Sequence, residues 1–384
     1  MNIGFDAKRA FHNQTGLGHY SRTLIRSLAT NFDQHQYFLF NPKPTSLFHF
    51  HDLKNVTEVL PQSFLAKKLS SVWRSNWVKK DLQKNKIDLY HGLSHEIPVN
   101  IHSTGIKSVV TMHDLIHERY PEQYKRIDRN IYTKKFRYAC NHADKIIAIS
   151  NQTKEDIIEF YKTDPSKIEV CYQSCNPAFG KEIATAEKLR IKQHYQLPDQ
   201  YFLYVGSIIE RKNLLNICKA MQLLQDEIKI PLVVIGNGTT YKQKVKDYIS
   251  LNKLDDRIIF LSDYPAAKFS PTFQSAADFP AIYQQATAMI YPSTFEGFGI
   301  PVLEALWSRI PVITSNVSCL PEAGGEGAFY VDPLKPEEIA QQMKQILTDE
   351  LLVQQSIEKG WQHAQKFTNL NTSAAVMQLY EQLF

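Results

Sequence analysis

Short apolar runs recur along this chain, separated by longer stretches whose apolar positions follow a helical spacing. In the first half, Ile3–Asp6, Tyr37–Asn41, Leu89–His91, Ser108–His113 and Lys145–Ile149 read as strands. An unbroken run rich in β-branched and aromatic residues fits a strand buried on both faces. A helix opens at Gly16-Leu17-Gly18 and runs to about Leu28, and Ser150 suits the N-cap of another that continues through Tyr161. In the second half, Tyr201–Val205, Leu232–Ile235, Arg257–Leu261, Ala288–Tyr291, Val312–Thr314 and Ala328–Val331 repeat the pattern. Strand and helix in alternation predict an α/β chain with parallel sheets and helices on both faces. Residues 174–198, with Pro177, Gly180 and the charged run Glu187–Gln193, read as an interdomain linker carrying a short helix. Residues 263–277 read as a loop or short extra helix.

Length and composition narrow the class. A chain of 384 residues suits two domains, here 1–178 and 179–366. It is 43% hydrophobic and 22% charged, with no run of membrane-spanning length. Met1–Asp6 reads as a first strand rather than a secretory leader. Five scattered cysteines argue for a reducing compartment without a disulfide framework. A net charge of +5 points to anionic partners such as phosphates or lipid headgroups. No zinc-finger or RNA-binding signature accompanies it, so nucleic acid is not expected.

Two carboxylates, Glu296 and Glu304, stand with seven residues between them. The strand-like run Ala288–Tyr291 precedes the first, and the second lies in an apolar, helix-like run. Gly297 and Gly299 occupy the turn. Such a turn offers backbone N–H groups at the positive end of a helix dipole, which suits a diphosphate. One carboxylate can then bind sugar hydroxyls and the other a ribose. The ordinary alternative is a strand-turn-helix with two exposed acids.

The surrounding residues favour the functional reading: Pro292-Ser293, Glu296-Gly297-Phe298-Gly299, Glu304-Ala305, Pro311-Val312-Ile313 and Pro321-Glu322. This stretch resembles the Glu-x7-Glu motif of retaining glycosyltransferases of family 4. The resemblance extends over nearly the whole chain and is most specific in residues 200–335. It implies the GT-B fold, two Rossmann-like domains facing a central cleft, with the last helix, residues 367–384, crossing back to the first domain.

It also implies residue roles. Gly206 followed by Arg211-Lys212-Asn213-Leu214 matches the family's strand-glycine, then Arg-Lys-Asn-Leu. Arg211 and Lys212 are there expected to hold the donor diphosphate and, with the amides near Gly297, Phe298 and Gly299, to stabilise charge on it as it leaves. Glu296 would bind the sugar; Glu304 and Leu303 would lie beside the nucleotide. Gly236-Asn237-Gly238 would border the base, though a plain loop is nearly as good a reading. Gly16 and Gly18 would face the donor phosphate, against the simpler reading of a tight turn. His113, in Thr111-Met112-His113-Asp114, would contact the donor sugar. Asp114, His91 and His95 would lie on the acceptor side. The spacings His91/His95 and His113/His117 resemble metal-ligand pairs, but glycine and proline around the first pair disfavour the helix that such a pair needs. No Asp-x-Asp occurs in the chain, so no metal and no cofactor are expected.

Two further segments bear on the reading. Phe64–Lys86 interleaves Lys67, Lys68, Arg74, Lys79, Lys80, Lys84 and Lys86 with Phe64, Leu65, Leu69, Val72, Trp73 and Trp77. As an amphipathic helix it would lie on an anionic membrane surface or pack its apolar face into the core. Trp307-Ser308-Arg309-Ile310 stands where the family has a small residue and a glycine, so this helix end lacks a glycine cap.

The expected function is therefore a metal-independent, retaining hexosyltransferase acting from a nucleoside diphosphate sugar onto a glycan or lipid-linked glycan. Resemblance at Asp88–Pro98 and Thr111–Leu115 favours mannose and GDP-mannose. Its expected place is the cytoplasm, with peripheral attachment to the inner membrane face. The rivals are an epimerase or hydrolase on the same fold, and a non-catalytic nucleotide-sugar-binding protein.

Overall fold

A computed structural model describes residues 1–384. The chain forms two compact units, Met1–Ser174 with Phe367–Phe384, and Cys175–Lys366.

The first unit holds seven strands: β1 (Asn2–Asp6), β2 (Gln36–Phe40), β3 (Val56–Val59), β4 (Leu89–Gly92), β5 (Lys107–Met112), β6 (Lys145–Ala148) and β7 (Ile168–Val170). Their order is β3-β2-β1-β4-β5-β6-β7, and all pairs are parallel. Successive side chains enter different cores. Val109 and Ile147 join Ile3, Phe5 and Leu39 on one face, while Val110 and Ile146 join Tyr90, Leu82 and Phe136 on the other. The period of two explains why these strands read as unbroken apolar runs. Strands β3 and β7 escaped the sequence reading because both lie at sheet edges and carry Thr57, Glu58 and Glu169.

The Ser150 hydroxyl accepts from Thr153 N at 3.0 Å and starts the helix Asn151–Tyr161. The last helix, Asn369–Glu381, packs on the helix Gly16–Asn31, where Ser27 Oγ lies 2.9 Å from Ser373 Oγ.

Segment 64–86 is not one amphipathic helix. It runs as Phe64–Lys68, Ser70–Val72, a π-helical turn Trp73–Trp77 and Val78–Lys84. Trp73 is buried in the core, and its indole N–H donates to Asp81 Oδ2 at 2.6 Å. Trp73 therefore cannot anchor a membrane. Phe64, Leu65, Leu69, Val72 and Trp77 remain exposed.

The second unit holds β8 (Phe202–Val205), β9 (Leu232–Ile235), β10 (Ile258–Phe260), β11 (Ala288–Tyr291), β12 (Val312–Ser315) and β13 (Phe329–Val331), again all parallel, in the order β10-β9-β8-β11-β12-β13. The helix Thr185–Tyr195, within the stretch read as linker, is tied in by Tyr195, whose hydroxyl reaches Asp278 Oδ2 at 2.5 Å. The stretch read as a loop or extra helix forms two short helices, Pro265–Lys268 and Pro271–Gln274.

The helix Ile300–Trp307 ends in the left-handed conformation that glycine usually supplies, but Arg309 adopts it, at φ 55°. Its guanidinium lies 4.1 Å from the centroid of the Trp361 ring, and Trp361 meets Trp307 edge-on. Packing thus stands in for the missing glycine cap.

Candidate functional site

Strands β8 and β11 are neighbours in the second sheet, so the turns at their C-terminal ends meet. The turn after β8 carries Arg211 and Lys212 in a single 3₁₀ turn, Glu210–Lys212. Asn213 closes it in the left-handed region, at φ 61°, and its amide donates to Pro292 O at 3.0 Å and to Pro333 O at 2.6 Å. This locks the turn against the one that follows β11.

The turn after β11 carries Ser293 and Glu296 and ends at Gly299, the residue preceding the helix Ile300–Trp307. Gly299 has φ 117°, a conformation that side chains rarely adopt. A Cβ at this position would also lie 3.0 Å from Leu320 Cδ2 and 3.3 Å from Ala323 Cβ. A second close approach occurs at Gly236, where a Cβ would stand 1.8 Å from Gly206 O.

Arg211 Nη1 lies 3.0 Å from Glu296 Oε2, and Lys212 Nζ lies 2.7 Å from Oε1. Ser293 Oγ donates to Oε1 at 2.6 Å and the Tyr291 hydroxyl does so at 3.0 Å. Lys212 donates in turn to the Tyr291 hydroxyl and sits over that ring. Arg211 also donates to Phe295 O. Burial disfavours the Glu296 carboxylate, but Lys212 and Arg211, helped by bonds from Lys212 and Ser293, outweigh it and hold its pKa at about 2. Burial likewise depresses Lys212, which Glu296 offsets and Arg211 reinforces.

Glu304 lies apart from this cluster. Its Oε2 accepts from the Tyr283 hydroxyl at 2.7 Å, and no cation pairs with it. Desolvation pushes its carboxyl up to about 7, against the Tyr283 bond. The two glutamates of one motif thus sit in opposite electrostatic settings. Leu303 is fully buried, so in the free protein it packs into the core. Phe298 is also buried.

Among the residues expected from the first unit, His113 is nearly enclosed. Its Nε2–H donates to Leu93 O at 2.9 Å, which leaves Nδ1 to accept from Gln173 Nε2 at 3.2 Å. Burial lowers its pKa to about 4, so the ring is neutral at pH 7. Asp114 Oδ1 accepts from Ile116 N at 3.1 Å. His91 has no exposed surface; its ring nitrogens bond the Tyr380 hydroxyl at 2.6 Å and Thr111 Oγ1 at 2.8 Å. As it stands, His91 ties β4 to the last helix. His95 is buried, with φ 63°, and stacks on Phe136 at 4.1 Å. At the Gly16–Gly18 turn, Asn13 Oδ1 accepts from Thr15 N at 2.9 Å and from Gly18 N at 3.1 Å. In the free protein the Asn13 side chain thus caps this turn.

Ser293 belongs to the motif that the sequence marks, but neither it nor Tyr291 nor Tyr283 carries a site role in that reading. Tyr291 is the last residue of β11 and Ser293 lies three before Glu296; that position at a strand end beside the carboxylate is the signal that could have marked them.

Residues 15–179 match the family described as Glycosyltransferase Family 4, and residues 186–363 match Glycosyl transferases group 1. O-antigen chain mannosyltransferase B of Escherichia coli is 26% identical, covering 100% of both chains. O-antigen chain mannosyltransferase RfbU of Salmonella typhimurium is 28% identical over 62% of this chain and 59% of its own. Among solved structures, a glycosyltransferase from Rickettsia africae has a TM-score of 0.72 at 16% identity, covering 99% of this chain and 97% of that one. Anabaena HepE in complex with UDP and glucose has a TM-score of 0.71 at 16% identity, covering 99% of each chain. The two matched families span both units, and the chain belongs to the family 4 glycosyltransferases, enzymes of the GT-B fold with two Rossmann-like domains.

Proposed function

We propose that this glycosyltransferase moves a hexose, mannose in preference, from a nucleoside diphosphate sugar to a glycan or lipid-linked glycan, with retention of configuration and without a metal ion. The observation that carries this reading is the Arg211–Lys212–Glu296 cluster beside the turn at Gly299. It pairs two cations suited to a diphosphate with a carboxylate suited to sugar hydroxyls. On donor binding the diphosphate takes over Arg211 and Lys212, and Glu296 turns to the sugar. The bond from the anomeric carbon to the diphosphate breaks, and the acceptor oxygen bonds that carbon on the same face. The departing diphosphate takes the acceptor proton, and Arg211 and Lys212 neutralise the charge that develops on it. Glu304 holds the ribose. His113 reaches a sugar hydroxyl only by giving up its bond to Gln173.

Mannose is favoured because the relatives that match over long stretches are named mannosyltransferases, two of them O-antigen chain mannosyltransferases. HepE was solved with UDP and glucose, so the nucleotide is the point to test. Thermal shift against GDP, UDP, ADP and their sugars is the experiment. Stabilisation by GDP and GDP-mannose above the others supports the reading, and preference for a UDP-sugar overturns the GDP-mannose assignment. Product analysis with and without acceptor separates transfer from hydrolysis or epimerisation. Transfer that is lost in EDTA and restored by added metal overturns metal independence.

No helix is long and apolar enough to cross a membrane. We place the enzyme in the cytoplasm, held to the inner membrane face through residues 64–86. The support is the exposed set Phe64, Leu65, Leu69, Val72 and Trp77 on a segment rich in lysine.

A further inference from the structure

The first unit contains a cavity of about 200 Å³ at the C-terminal ends of β1 and β2. A water molecule occupies roughly 30 Å³ in the liquid, so the space admits a phosphate group. Its walls include Lys8, His12, Lys43, Arg74, Ser70 and Ser71, and no carboxylate. Arg74 is already balanced. Its Nε bonds Asp6 at 2.9 Å and its Nη2 lies 2.9 Å from Glu96. Lys8 and Lys43 form no ion pair. Burial, and then repulsion from Arg74 and Arg9, depress the Lys8 ammonium against a weaker attraction from Glu96 and Asp6, and a bound anion would add to that attraction. Ser70 and Ser71 supply hydroxyl donors, and the residues on either side of them, Leu69 and Val72, are exposed. Phe64 and Leu65, one turn earlier, are 77% and 61% exposed. A basic, hydroxyl-lined cavity therefore adjoins an uncovered apolar surface.

We propose that this cavity receives a phosphate group carried at the head of a lipid, while Phe64, Leu65, Leu69 and Val72 rest against its chains. The proposal rests on the reading that residues 64–86 meet a membrane, and it adds what the segment recognises there.

The test is vesicle co-sedimentation of the full chain. Phosphatidylcholine vesicles are used alone, with phosphatidic acid, or with oleate at matched surface charge. Binding to phosphatidic acid should exceed binding to oleate. Lys8→Gln with Lys43→Gln should cut the phosphatidic acid affinity roughly 30-fold, at about 1 kcal/mol for each cation near an anionic surface. Lys181→Gln with Lys253→Gln, exposed lysines of the other unit, should leave it unchanged. Circular dichroism checks folding, and should the lysine pair misfold, Ser70→Ala with Ser71→Ala should show a loss of the same preference. Equal binding to phosphatidic acid and oleate overturns the phosphate cavity while the membrane reading stands. No gain over phosphatidylcholine alone overturns both. Stabilisation by inorganic phosphate, abolished in the lysine variant, without vesicle binding overturns the lipid source and leaves a small-anion site.

Discussion

Lys212 Nζ lies 2.7 Å from Glu296 Oε1, and the Tyr291 hydroxyl bonds both, so the cation proposed for the diphosphate and the carboxylate proposed for the sugar are joined in the free protein. Donor binding must exchange this pair for new partners. Glu296→Gln should therefore leave binding of the bare nucleoside diphosphate as strong or stronger, while turnover of the sugar nucleotide falls steeply. Arg211→Ala and Lys212→Ala should each weaken the bare nucleotide by about 1.5–3 kcal/mol, the range of a charge-assisted hydrogen bond. Calorimetry with the nucleotide and its sugar reads both effects. Wild-type nucleotide affinity in the two cation variants, or equal losses for both ligands in Glu296→Gln, would sink the division of roles.

Glu304 should make nucleotide affinity depend on pH. Its carboxyl is raised to about 7 in the free protein. If ribose hydroxyls bind the carboxylate, binding releases a proton near and below pH 7, and affinity falls as pH drops through that value. Glu304→Gln should abolish the proton release, measured by calorimetry in buffers of different ionisation enthalpy. Stability has its own sign. A raised carboxyl favours the fold below its ordinary value of 4.5, and this contribution is lost as pH rises through about 7. Urea midpoints of wild type minus Glu304→Gln should fall across that window. A difference that stays flat with pH counts against the shift.

Glu296 behaves oppositely, because Lys212 and Arg211 hold it at about 2. It contributes stability above its ordinary 4.5, and that contribution is lost as pH falls toward 2. Acid unfolding of Glu296→Gln should accordingly be less steep than that of wild type between these values, and an identical profile would argue against the ion cluster.

Segment 64–86 divides into a buried and an exposed part. Trp73→Ala should destabilise by about 3–5 kcal/mol, as expected when a large aromatic leaves a core. Phe64→Ser with Leu65→Ser should leave stability within roughly 0.5 kcal/mol but weaken vesicle binding. Denaturant titration and co-sedimentation separate the two. A small cost for Trp73→Ala would contradict the packing seen here.

At the end of the helix Ile300–Trp307, Arg309→Ala should cost more than Arg309→Gly. Alanine keeps the left-handed strain and loses the contact with Trp361, whereas glycine loses the contact but relieves the strain. The gap should be about 1 kcal/mol by thermal denaturation. Equal costs would mean that the backbone is not strained at this point.

Much of the architecture could be read from the chain alone. The central strands β8, β9 and β11 carry unbroken apolar runs because both of their faces are covered, and that pattern is local. Edge strands β3 and β7 are short and interrupted by Thr57, Glu58 and Glu169, and lose it. The Ser150 cap was legible because it acts within its own turn. The motif residues Arg211, Lys212, Glu296 and Glu304 could be chosen by spacing and by family resemblance, since both concern order along the chain.

What only the tertiary structure decided is how those residues meet. Residues 211 and 296 are distant in sequence and touch because β8 and β11 are neighbours in the sheet. That pairing sets Glu296 and Glu304, eight positions apart, at opposite ends of the carboxylate range: one lies against two cations and the other against a single tyrosine hydroxyl. The same holds for Trp73 and Phe64. Both are apolar residues of one basic segment, and a π-helical turn sends the first into the core and leaves the second outside. Charge neutralisation and burial depend on which atoms surround a group in three dimensions, and a pattern of residue types along the chain does not carry that information.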